Sequence, residues 1–232
     1  MVNASTIIVA FDVYGTLIDT HGIVSTLEKY VGTRAFTFSQ TWRDKQLEYS
    51  FRRGLMQAYK EFSVCTKDAL EYTCKLYSAE LTRQQKEHLL DTYKTLPAFN
   101  DAKAGLDKAK EAGYKLYAFS NGKAQAVELL LTRAGLRGYF QDVVSVDEVR
   151  SFKPDPAVYK HFLERAGSLA ANTWLVSSNS FDVIGAMAAG MKTAWVQRVP
   201  QSIFDPWGIE PTVTVESLSE LTDAILFQQS WE

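Results

Sequence analysis

Two cysteines in 232 residues are too few for a disulfide framework. Cys65 and Cys74 lie on one segment of helical character, with no Cys–His cluster to suggest a metal. They read as reduced core thiols. An excess of charge of either sign is also missing. Lys and Arg number 25 against 27 Asp and Glu, a net charge of −2, and no long basic run occurs. Nucleic acid and anionic membrane are therefore not expected as partners. No apolar run is long enough to span a bilayer, and the opening "MVNASTIIVAF" lacks the basic start of a signal peptide. A soluble, reducing, cytoplasmic setting is expected. Neither a G-x-G-x-x-G nor a Walker loop is present, so no nucleotide cradle and no cofactor is expected. Internal repeats and low-complexity segments are absent. The three histidines, His21, His88 and His161, sit on separate segments and read as surface or packing residues.

What is present is ordinary globular material, 46% hydrophobic and 22% charged. "TIIVAF" (6–11) is a β-branched run ended by a turn, the signature of a buried strand. "YKLYAFS" (114–120), "DVVSV" (142–146), "NTWLVSS" (172–178) and "MKTAWVQ" (191–197) read the same way. Helical stretches alternate with them at 124–136, 155–167 and 181–190, each ending at or near Gly. This alternation predicts an α/β fold with a parallel, Rossmann-like sheet carrying helices on both faces. Residues 18–97 break the pattern with three helical segments, at 42–62, 66–81 and 82–96, the last two each opening on Thr. A helical cap therefore interrupts the core after its first strand. The expected division is a core of residues 1–17 and 98–232 and a cap of residues 18–97.

Four strand ends stop on polar chemistry: Asp12; Ser120 with Asn121; Lys153; and Ser177-Ser178-Asn179 with Asp182. Each has a plain alternative. Asp12 could close a turn, Ser120 and Asn121 could be loop residues, Lys153 could be solvated, and Asp182 could cap a helix. Their joint occurrence in order, at the same end of the predicted sheet, points instead to one cleft.

"FDVYGTL", "FSNG", "SFKPDP..Y" and "SSNSFD" resemble the four signatures of the haloacid dehalogenase superfamily. "WRDKQLEY" (42–49) is similar to a segment of the L-2-haloacid dehalogenases. Most of the superfamily hydrolyse phosphate esters with Asp-x-Asp in the first signature, the second Asp protonating the leaving alcohol, and use Mg²⁺ held partly by acids of the fourth signature. Here Tyr14 stands in place of the second Asp, and Asn179 occupies one acidic position. Both departures suit a leaving group that needs neither proton nor metal, as a halide does.

The resemblance implies hydrolysis of a 2-haloalkanoate with Asp12 as nucleophile, through an ester, without metal. Lys153 is implied to keep Asp12 ionised and to help hold the substrate anion. Ser120 is implied to take the substrate carboxylate. Arg43 and Asn121 are implied to receive the halide. Asp182, Ser177, Asn179 and Thr16 are implied to orient the hydrolytic water, with Tyr159 fixing that network. Tyr14, Leu47, Phe62 and Phe181 are expected as apolar walls. Phe181 stands where relatives commonly have Trp, and Asp44 where they have Gln. The expected partners are a small 2-haloacid and halide, and by family analogy a second copy of the chain, with helix 42–62 suited to the contact. Two other readings stay open on sequence alone: a phosphatase of the superfamily, and a non-catalytic binding member.

Overall fold

The computed structural model describes residues 7–231. The expectations placed on residues 1–6, including the start of the first strand at Thr6, lie outside them. Strand β1 (Ile8–Asp12) is buried along its whole length. Its neighbours are β2 (Lys115–Ser120) and β4 (Thr173–Ser177), and the sheet continues through β3 (Asp142–Ser145), β5 (Lys192–Val196) and β6 (Val213–Val215). The order is β3-β2-β1-β4-β5-β6, with all strands parallel.

Alternation along β1 sends side chains to two separate cores. Val9 and Phe11 meet Leu106 of α5 (Ala102–Glu111), Val127 and Leu131 of α6 (Ala124–Arg133), and Ile225 of α9 (Leu221–Gln229). Ile8 and Ala10 meet Val158 and Phe162 of α7 (Pro156–Ala166) and Ala186 of α8 (Ser180–Ala188). Helices thus cover both faces, as an apolar parallel sheet requires. The order of connection reverses at β1, between β2 and β4. That is where an open parallel sheet leaves a crevice beyond its carboxyl ends. Register puts Asp12 beside Phe119, one residue before Ser120, and Phe11 beside Val176, one residue before Ser177.

The helical insertion comprises α1 (Val24–Val31), α2 (Ala35–Leu55), α3 (Phe62–Leu76) and α4 (Arg83–Thr92). Its two connections to the sheet run side by side. Asp19 N donates to Pro97 O (2.8 Å) and Phe99 N to Leu17 O (2.9 Å). Among the described residues no helix is long and apolar enough to cross a membrane.

Several boundaries differ from the sequence reading. The helix expected over 42–62 starts seven residues earlier, at Ala35, and stops at Leu55. Gln57 then takes a positive φ of 52°, and Tyr59 is drawn to the sheet domain by its hydroxyl bond to Asp147 (2.5 Å). Leu55, the last residue of α2, is 88% exposed. Thr66 does not open a helix. It sits inside α3, buried, with its hydroxyl donating to Phe62 O (3.0 Å). Thr82 does open α4, in a reciprocal capping box with Gln85. Helices α1, α5 and α9 and strand β6 have no counterpart in the sequence reading.

Candidate active site

Asp12 ends β1 and is buried, with both carboxylate oxygens engaged. The turn that follows needs Gly15, whose φ is +89°. This turn returns Thr16 to the carboxylate it has just left. Thr16 Oγ1 donates to Asp12 Oδ2 at 2.8 Å, Ser177 Oγ at 3.2 Å and Asn179 Nδ2 at 2.7 Å. Oδ1 instead receives Lys153 Nζ at 3.1 Å. Asp12 is thus no turn cap but the acceptor of four side-chain donors from three chain segments. Ser178, which sequence reasoning left without a role, fixes Thr16: its N–H donates to Thr16 Oγ1 (2.9 Å).

Lys153 is 1% exposed. Its three protons go to Asp12 Oδ1, to Phe119 O (2.9 Å) and to Asp182 Oδ2 (2.7 Å). Burial alone would lower its pKa, but Asp12 and Asp182 outweigh that and raise it. With no spare proton, it can act on a bound anion only through its charge. Asp182 lies in the first turn of α8 but caps nothing. It is fully buried, held by Lys153 and by the Tyr159 hydroxyl on Oδ1 (2.9 Å). Burial pushes its pKa up to about 6, with Lys153 opposing and Asp12 adding to the rise. Burial, then Asp182, raise Tyr159 as well, so its hydroxyl stays a donor.

Ser120 and Asn121 cross the end of β2 into the same crevice, both buried. Ser120 Oγ accepts from Gly122 N (3.1 Å), and Asn121 Oδ1 accepts from Lys153 N (3.0 Å). The Ser120 proton and the Asn121 amide protons are left as donors. Arg43 reaches the group from α2. Its Nη2 donates to Tyr14 O (3.3 Å), a carbonyl that also accepts from Asn179 Nδ2 (3.2 Å). Thr16, Lys153, Ser177 and Asn179 thus touch the Asp12 carboxylate. Asp182 and Asn121 join it through Lys153, Tyr159 through Asp182, and Arg43 through Tyr14 O, which Asn179 shares, while Ser120 ends the neighbouring strand.

The aromatic residues divide. The Tyr14 ring stacks on Tyr93 (centroids 6.2 Å apart) and leans on Phe62 (6.3 Å). Leu47 packs, partly buried, in the cluster that contains Phe62 and Phe152. Phe181 contacts Phe51 edge to face at 5.0 Å and lines an apolar groove of about 770 Å³ with Leu55, Ile184 and Trp207. Asp44 is exposed and faces water. Sequence reasoning also passed over Gln46 and Tyr93. Gln46 was visible only as a letter inside "WRDKQLEY".

The chain matches the family described as haloacid dehalogenase-like hydrolase over residues 9–196. It belongs to that family. An (S)-2-haloacid dehalogenase of Pseudomonas sp. (strain YL) is 36% identical over 93% of this chain and 92% of the relative. Haloacetate dehalogenase H-2 of Moraxella sp. (strain B) is 34% identical over 94% of this chain and 96% of its own length. The solved L-2-haloacid dehalogenase of Xanthobacter autotrophicus, with chloropropionic acid covalently bound, is 31% identical. It superposes with a TM-score of 0.87 over 95% of this chain and 98% of that one.

Mg²⁺ chemistry, common in the wider superfamily, does not fit these residues. Position 179 is an amide, and both oxygens of Asp182 are held by Lys153 and Tyr159. Among the described residues no group of three or more His, Cys, Asp or Glu side chains stands together as a metal site.

Proposed function

We propose that this haloacid dehalogenase-like hydrolase converts (S)-2-haloalkanoic acids to (R)-2-hydroxyalkanoic acids and halide. The observation that carries this reading is the unequal dressing of Asp12. Three donors hold Oδ2, while Oδ1 has Lys153 alone. A carboxylate pinned by one oxygen and activated by a buried ammonium is built to attack with the other. The covalent chloropropionic acid adduct of the Xanthobacter relative supports an enzyme-bound intermediate.

Asp12 Oδ1 attacks C2 opposite the halogen, and halide leaves with the C–X bonding pair. In-line attack inverts C2. Holding acid and carboxylate together in a closed cleft supplies much of the acceleration. Ser120 binds the substrate carboxylate, and Arg43 with Asn121 receives the halide. Water then attacks the carbonyl carbon of the Asp12 ester. The ester oxygen leaves with the 2-hydroxy acid, so the Asp12 carboxylate keeps one oxygen from water. Asp182 accepts the water proton and returns it to the departing 2-hydroxy oxygen, while Thr16, Ser177 and Asn179 hold Oδ2, the carbonyl oxygen of the ester. A halide needs no general acid, which accounts for Tyr14 in place of a second Asp. No metal takes part in this scheme. Tyr14, Leu47, Phe62 and Phe181 form the apolar surroundings.

The same reading divides the chain into a core (residues 1–17 and 98–232) and a cap (18–97). It places the enzyme in the cytoplasm, where its buried thiols Cys65 and Cys74 stay reduced. It also makes the enzyme a homodimer. Exposed Leu55 and Met56, at 88% and 71%, supply apolar surface at the end of α2.

Single-turnover reaction of L-2-chloropropanoate in H₂¹⁸O with a chelator present tests the scheme. The label is expected in Asp12 and not in the first-turnover product. Direct labelling of the product, or release of halide only when Mg²⁺ is restored, would overturn it.

A further inference from the structure

Arg43 needs a fixed aim if it is to meet a departing halide, because its side chain is long and unrestrained would spread over many rotamers. The structure supplies that aim from within the cap. Arg43 Nη1 donates to Gln46 Oε1 at 2.8 Å, one helical turn further along α2. Gln46 is 1% exposed, unusual for an uncharged amide unless every atom is partnered.

Its partners settle which way the amide faces. Thr66 Oγ1 donates to Phe62 O (3.0 Å), so it can only accept from Gln46, and it does so from Nε2 at 2.5 Å. The Gln46 oxygen is thereby turned to Arg43, where the Tyr93 hydroxyl also approaches it (3.5 Å). Thr66 is itself held, its carbonyl accepting from Trp42 Nε1 (2.8 Å). A relay runs from Phe62 O through Thr66 and Gln46 to the guanidinium, with no solvent-exposed link before Arg43.

We infer that Gln46 is a positioning residue that aims Arg43 at the leaving halide, with Thr66 fixing the amide orientation. This rests on the proposed role of Arg43. A neutral amide is the right acceptor. A carboxylate at position 46 would orient Arg43 equally well but would compete with the halide for its charge, and an apolar residue would leave Nη1 without an acceptor.

The readout that separates aiming from mere support is inhibition by added chloride and bromide, together with the ratio of turnover on 2-bromo- and 2-chloropropanoate. Weaker capture of halide penalises the poorer leaving group more. Gln46→Leu is expected to weaken halide inhibition by about tenfold, the worth of one hydrogen bond to a charged group, and Gln46→Glu to weaken it as well, by competing with the halide for the guanidinium charge. Both are expected to raise the bromide-to-chloride turnover ratio, with KM for the acid changed far less. Gln46→Leu alters a buried site, so Thr66→Val serves beside it. That change keeps the shape, frees the amide to turn over, and is expected to move both readouts in the same direction by less. Arg43→Lys is the control. If it leaves halide inhibition unaltered, the role given to Arg43 fails. If Arg43→Lys weakens inhibition while folded Gln46→Glu and Thr66→Val do not, Arg43 is aimed without Gln46 and this inference alone is overturned.

Discussion

A Cβ placed on Gly185 would lie 2.4 Å from the hydroxyl oxygen of Tyr159. The missing methyl is what lets α8 come close enough for that hydroxyl to reach Asp182. Pro154 fills the other side of the same gap, 2.7 Å from the hypothetical Cβ. The close neighbour of α8 at Gly185 is therefore Tyr159 of α7.

Gly185→Ala is therefore expected to push the Tyr159 hydroxyl off Asp182. Overpacking costs roughly 1–3 kcal/mol, against about 1 kcal/mol regained from replacing a helical glycine. The net loss of stability is about 0–2 kcal/mol, and a further effect falls on chemistry. The Tyr159 bond lowers the Asp182 pKa, so losing it raises that pKa further. The acid limb of the pH–rate profile should shift upward in Gly185→Ala and in Tyr159→Phe alike. An unchanged limb in both variants would separate Tyr159 from the base.

Lys153→Met leaves Asp12 and Asp182 buried without their shared cation. Removing one partner of a buried ion pair typically costs about 3–5 kcal/mol. Turnover should be abolished at every pH. The loss of stability should be largest near neutrality and shrink on acidification, because a protonated carboxyl needs no counter-ion. Denaturant titrations of wild type and variant at two pH values check this, and a deficit that grows with acidity would contradict it.

The raised pKa of Asp182 has a definite sign. A folded value of about 6, above the ordinary carboxylate value of 3.8, means that the folded state holds the proton more tightly than the unfolded chain. This group's contribution to stability is complete below 3.8 and declines as pH rises towards about 6. As the proposed base for ester hydrolysis, however, Asp182 works only when ionised. Turnover should fall below about pH 6, while the displacement by Asp12 continues. Acid quench followed by mass spectrometry should then find the Asp12 ester accumulating at low pH. An acid limb with no accumulated ester would move the limiting proton to another group.

Much of this site was legible because its chemistry is carried by residue types at strand ends. Asp12, Lys153 and Asp182 are costly to bury, and their order in the chain marks them, Asp12 at the end of β1, Lys153 eight residues beyond β3 and Asp182 five beyond β4. The alternation of strand and helix likewise fixed a parallel sheet, since a parallel connection needs a crossover. The cap was less legible. Periodicity carried one helix through residues 56–61, whereas Gln57 turns the chain and a tyrosine hydroxyl ties the loop to Asp147. Thr66 looked like a cap and is a buried relay.

The sequence by itself therefore determined the architecture and the identity of the charged groups, because hydrophobic periodicity and the cost of burying charge are local or compositional. Tertiary structure alone decided which oxygen of Asp12 stays lightly held, where each proton of Lys153 goes, and which amide oxygen Arg43 meets. Those are matters of distance between segments up to 167 residues apart, as between Asp12 and Asn179, and no spacing along the chain encodes them.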